Sequence, residues 1–254
     1  MNEILLHTDK FMLVLIRTSG VVMLAPMFGG AVVPMRIKAA FVLILSVVLT
    51  PVVESAAPQA GGFLAYGILA VRELTVGLTM GFAAVLAFGS FQIAGEFIGR
   101  QMGFAMGRLA DPLHEESTSV LNQFHYILAM LIFLAVNGHH WFLQALGSSF
   151  NSIPLGTSTL SAAITRGMFE RFVEVFAAGL KMAAPAVCVL VLVTIGLGML
   201  ARAAPLLNML TISISLRIVV GLVLVGSLMP YTYRFGKFLL LNMRADLALL
   251  IEAL

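Results

Sequence analysis

The chain has 254 residues, of which 60% are hydrophobic and 11% charged, with a net charge of +3 and a mean hydropathy of +1.04. A soluble domain carries roughly 25% charged residues, so this composition excludes an ordinary water-soluble fold and indicates an integral membrane protein. One cysteine excludes an internal disulfide, and no run of basic residues marks a nucleic-acid or polybasic lipid site.

The first ten residues, MNEILLHTDK, contain Glu3 and Asp9 where a secretory leader would be basic, so no leader is expected. Crossing a hydrocarbon core of about 30 Å takes about 20 helical residues. Leu74–Gly95 and Met182–Ala201 are long enough, and shorter apolar stretches run over Phe11–Ala25, Ala39–Val53, Phe124–Val136 and Ala203–Met229. About six hydrophobic helical elements follow. Prolines punctuate them: Pro26 and Pro34 bracket a glycine-containing link, and Pro51 and Pro58 close the second element.

From Phe63 to about Gly107 the pattern reads as one long helical stretch or two stacked ones, ending at Asp111-Pro112. The polar LHEESTSVLNQ then leads into the next helix, with Ser117 or Thr118 as N-cap candidates. Asn137-Gly138 ends that helix, and NGHHWFLQAL opens a short one. The loop SSFNSIPLGTSTLS, residues 148–161, is the best boundary in the chain. Beyond it an amphipathic start leads into Met182–Ala201, expected to be kinked or interrupted near Pro185. Cys188, within VCVLVLV, reads as an inert core residue. After a break at ARAAPLLN a last long apolar element reaches Pro230, and an amphipathic tail follows.

Lysine and arginine are scattered along the chain, so neither set of alternate loops prevails under the positive-inside rule and no topology is assigned. Charges also lie inside the apolar elements, where each costs on the order of 3 kcal/mol at the bilayer centre. Arg17, Lys181, Arg202 and Arg217 have no acid nearby in the sequence, and adjacent Arg72 and Glu73 point in different directions, so no one neighbour is expected to satisfy both. These charges call for an aqueous pathway or for other subunits.

The densest such segment is GEFIGRQMGFAMGRLADP, residues 95–112. Gly95, Gly99, Gly103 and Gly107 recur every fourth residue, close to one helix face, where small residues let two backbones approach. Glu96 and Arg100 are spaced to pair along the helix, with Gln92 one turn back. Chemistry is otherwise sparse. His139 and His140 are adjacent without an HExxH pattern, and His114 or His125 would join them only by accident of folding, so no metal site is expected. GLGMLA, with Gly196, Gly198 and Ala201, lies within an apolar helix and not at a strand-to-helix turn, so it is no dinucleotide fingerprint. No P-loop or nucleophile elbow occurs. No catalytic residue and no cofactor are expected.

Taken together, RTSGVVMLAPMF, VPMRIKAAFVLILSVVLTP, GEFIGRQMGFAMGRLADP, NGHHWFLQAL with SSFNSIPLG, and ARAAPLLNMLTISISLRIVVGL resemble, in order and spacing, the R subunit of the flagellar export gate (FliR), whose injectisome counterparts share the plan. The NGHH and IPLG elements look more flagellar than injectisome-like. The resemblance implies an all-α membrane protein of helical hairpins, assembled helically with two sister membrane subunits in the basal body at the inner membrane. Unfolded flagellar proteins would pass through that gate. It further implies that residues 1–160 resemble one sister subunit and 161–254 the other, and that a loop at about Gly103–Pro112 plugs the channel. Met102, Gly103, Phe104, Met106, Gly107 and Leu109 would then occlude the lumen, with Glu96, Arg100, Arg108 and Asp111 as anchoring or buried polar groups. Set against this are an injectisome gate subunit, a small-solute secondary transporter, which would show an inverted repeat that the sequence lacks, and a passive scaffold without a channel-lining role.

Overall fold

The computed structural model describes residues 2–29, 33–55, 58, 62–104, 119–158, 162–203 and 209–253. These form nine helices and no strand: α1 (Asn2–Leu24), α2 (Pro26–Gly29), α3 (Met35–Leu49), α4 (Phe63–Met102), α5 (Val120–Ala135), α6 (Gly138–Ser152), α7 (Ala162–Ala203), α8 (Met209–Ser227) and α9 (Met229–Ala253). The fold is all-α, and the six apolar stretches fall in α1, α3, α4, α5, α7 and α8.

The breaks follow from local chemistry. Pro34 is the N-cap of α3, held extended at φ −57° and ψ 141°. Asn137 takes a left-handed conformation (φ 56°) between α5 and α6, which asparagine tolerates better than most residues. Pro230 lies in the first turn of α9, where its missing N–H leaves no bond unmade. It follows directly on the 57° bend that separates α8 from α9.

Pro185 does not interrupt its helix. It lies within α7, which continues through it from Ala162 to Ala203. A proline inside a helix leaves the carbonyl four residues earlier without its N–H partner. Here that carbonyl belongs to Lys181, and the hydroxyl of Tyr231 on α9 donates to it at 3.1 Å. A side chain thus takes the place of the missing backbone donor.

The described helices fall into two compact units that interleave along the chain: Met1–Ala87 with Phe133–Phe172 and Leu240–Leu254, and Phe88–Ile132 with Val173–Leu239. They are defined by packing, and so differ in kind from the division near residue 160, which concerns likeness to sister subunits. In the first unit α1 crosses the start of α4 at a glycine contact. A Cβ on Gly77 would collide with the Arg17 carbonyl, and one on Gly20 would lie 3.0 Å from the Leu74 carbonyl oxygen. In the second unit a Cβ on Gly179 of α7 would meet the Ser90 carbonyl oxygen of α4 at 2.8 Å.

Among the described residues α4 and Arg166–Ala203 of α7 are each long and apolar enough to cross a membrane, and up to four crossings result if α5–α6 and α8–α9 each count as one. The two long helices differ in cover. The most apolar window of α4 is 61% buried and that of α7 only 17%. Cys188 therefore is not a core residue: it is exposed on α7, because an apolar run there faces outward. Replacing Tyr231 by Phe is expected to lower stability by about 1 kcal/mol, the net worth of one hydrogen bond. Thermal unfolding in detergent should show that loss, and should show none when Pro185→Ala supplies the missing amide.

Candidate functional site

The glycine-rich segment begins inside α4. Gly95 and Gly99 lie against the start of α5, where a Cβ on Gly95 would be 2.5 Å from the Leu121 carbonyl oxygen and one on Gly99 would be 2.5 Å from the Ser119 hydroxyl. Glu96 and Arg100 form an ion pair on the helix surface at 2.8 Å, their side chains 22% and 66% exposed. At such exposure it is worth at most about 1 kcal/mol.

The helix does not run on to Gly107. It ends after Met102, where Gly103 enters the left-handed region at φ 96°. The Gly103 N–H donates to the Arg100 carbonyl and the Phe104 N–H to the Gly99 carbonyl, both at 3.1 Å. That pair of bonds is the Schellman arrangement, which satisfies last-turn carbonyls and favours glycine at the left-handed position. Met102 is fully buried, Gly103 is buried and Phe104 half-buried. Met106, Gly107, Arg108, Leu109 and Asp111 lie outside the described residues.

A second polar centre, in the first unit, is one that sequence reading did not assemble. Arg17 of α1 and Glu73 of α4 are both completely buried and bonded at 2.6 Å. The same guanidinium donates through Nη1 to the Ser149 carbonyl at 3.0 Å and through Nη2 to the Ile153 carbonyl at 3.0 Å, while its Cζ lies 4.3 Å from the centre of the Phe150 ring. The other oxygen of Glu73 accepts from the Gly156 N–H at 2.7 Å. The Gly156 carbonyl in turn accepts from Arg72 at 2.9 Å. Arg72 and Glu73 thus meet at Gly156 through its carbonyl and its N–H, but Glu73 needs Arg17 as well, so no one neighbour satisfies both, as expected. Gly156 sits at φ 75°, where a Cβ would be 2.6 Å from Leu69.

Arg17 therefore needs neither water nor a second subunit; its acid lies 56 positions away in sequence. The Gly77 contact brings α1 close enough for this, since Glu73 is one turn before Gly77 on the same face. The other unpaired cations divide. Lys181 and Arg202 are exposed, and Arg217 is half-buried, its Nε donating to the Ser213 carbonyl at 3.2 Å. His139 and His140 pack ring to ring at 4.2 Å. His125 contacts the Leu121 carbonyl through Nδ1 at 2.8 Å, and among the described residues no group of histidine, cysteine or carboxylate side chains could hold a metal ion. His114 lies outside them.

The family described as bacterial export proteins, family 1, matches residues 9–243. The chain is 30% identical to the flagellar biosynthetic protein FliR of Escherichia coli (strain K12) over 236 residues, covering 92% of this chain and 90% of the relative. It is 32% identical to the FliR protein of Bacillus subtilis (strain 168) over 231 residues, covering 88% and 87%. It is 25% identical to that of Caulobacter vibrioides over 235 residues, covering 89% and 93%.

Removing one partner of a buried ion pair costs about 3–5 kcal/mol. Arg17→Met and Glu73→Gln are each expected to lose that much in thermal or denaturant unfolding of the detergent-solubilised protein. Arg17→Met combined with Glu73→Met should recover part of the loss, because no bare charge remains.

Proposed function

The chain belongs to the bacterial export proteins, family 1, and on that premise we propose that it is a subunit of the flagellar protein export gate, needed for assembly of the flagellum. The observation that carries this reading is the family match over residues 9–243, together with relatives named flagellar biosynthetic proteins over nearly their whole length. Unfolded flagellar proteins pass through a conduit of which this chain forms part. It works there by shape and not as an enzyme.

Its partners are two sister membrane subunits, residues 1–160 corresponding to one and 161–254 to the other, within the basal body at the inner membrane. The bare α7 supports this. Phe169, Phe172, Phe176, Leu192 and Met199 are all exposed on it, an apolar face that only a neighbouring protein or lipid can cover. In the gate such faces bury against neighbouring proteins.

The channel is closed by the end of α4 and the segment that follows it, through Met102, Gly103, Phe104, Met106, Gly107 and Leu109. Methionine and phenylalanine form a deformable apolar seal, and a hydrophobic constriction stops ions by dewetting. Glu96, Arg100, Arg108 and Asp111 hold the base of the segment, and Gly95 and Gly99 seat it against α5. The end of α4 at Gly103 supports this reading, since the chain leaves the helix where the seal begins.

Two measurements test the proposal. Expressed with its neighbours, the chain should co-purify with two other small membrane proteins and restore motility to a host lacking its flagellar relative; a lone, stable monomer that carries a small solute would refute the gate. Deleting residues 104–110 should let ions and small molecules leak through the assembled complex. Unchanged leakage would refute the seal.

A further inference from the structure

Arg217 is a cation set in the apolar helix α8, with no carboxylate near it in sequence. Through Nε it donates to the carbonyl one turn back, which holds the guanidinium against its own helix. Ile214, Arg217 and Gly221 lie at i, i+3 and i+7 and share one face, and that face meets the last turn of α4. A Cβ on Gly103 would lie 3.9 Å from both Arg217 Nη2 and Ile214 Cγ2, and a Cβ on Gly221 would be 2.5 Å from Met102 Cγ. The absence of a side chain at Gly221 thus makes the seat for Met102, and one turn away on that face the guanidinium sits beside the glycine that ends the helix.

The carboxyl end of a helix carries a partial negative charge of about half a unit, and a cation beside it is favourable. Arg100 lies in that last turn, but its guanidinium is drawn to Glu96 on the exposed side of the helix. Arg217 approaches from the packed side. We infer that Arg217 is a positioning residue: its charge holds the end of α4 closed at Gly103 and sets the direction in which the chain departs at Phe104. Its effect on local order stands on the geometry alone, whereas any effect on leakage rests on the proposed seal.

The test uses the assembled export complex. Exposed Cys188 is replaced by alanine and a spin label is placed at Phe104→Cys. Arg217→Met should raise the mobile fraction of the label about two- to fivefold, the range that a cation at a helix end supports, and should raise ion leakage with it. Arg217→Lys, which keeps the charge, should stay near the parent on both readouts. Where Arg217→Met fails to assemble, Arg217→Gln takes its place. An unchanged label spectrum in the neutral variant would overturn the inference, as would equal mobility in the lysine and glutamine variants. A more mobile label without leakage would uphold Arg217 and reject the seal, while leakage after deletion of residues 104–110 with no response to Arg217 would do the reverse.

Discussion

A guanidinium buried among apolar helices has no water to fall back on, and the first unit is arranged around supplying one with partners. Arg17 reaches Glu73, two carbonyls at the end of α6 and the face of Phe150, and Glu73 uses its second oxygen on the Gly156 amide. Each bond ties together segments far apart in sequence, so α1, α4 and the SSFNSIPLG stretch cannot shift independently. The attraction between the two charges is not by itself a large gain over an apolar pair. What the pair contributes is intolerance: any arrangement that separates the two leaves a bare charge in a dry interior, and such arrangements are excluded.

The same rule governs the places where helices are interrupted. At two of these places another group is brought up to restore the lost backbone bond. The Lys181 carbonyl, deprived of its partner by Pro185, receives the Tyr231 hydroxyl. The last carbonyls of α4 are taken up by the turn at Gly103 and Phe104. Close packing makes these repairs possible, because Gly77, Gly95 and Gly221 bring a neighbouring backbone or side chain to where a Cβ would otherwise stand.

The second unit shows what the chain leaves undone. Along α7 the apolar residues stay largely bare. Lipid or a neighbouring protein would cover such a face, and in the proposed gate it is neighbouring subunits that do so. The end of α4, where the glycine-rich segment leaves the helix, is the point at which this packing frame passes into the part of the chain proposed to close a conduit.

Much of this was legible in the residues themselves. Composition and the lengths of the apolar runs determined an all-α membrane protein, and the order of short motifs determined the family, because hydrophobicity and helical period are local properties. Glu96 and Arg100 could be paired on paper, being four residues apart. Arg17 could not, since its acid is 56 residues away and its other partners more than 130. Nor could the continuity of α7 through Pro185, the outward placing of Cys188, the sharing of Gly156 by Arg72 and Glu73, or the helix end at Gly103 in place of Gly107. Those were decided by tertiary structure alone, for one physical reason. A buried polar group or a strained turn is settled by whatever the fold brings within about 3 Å of it, and sequence separation carries no record of that distance.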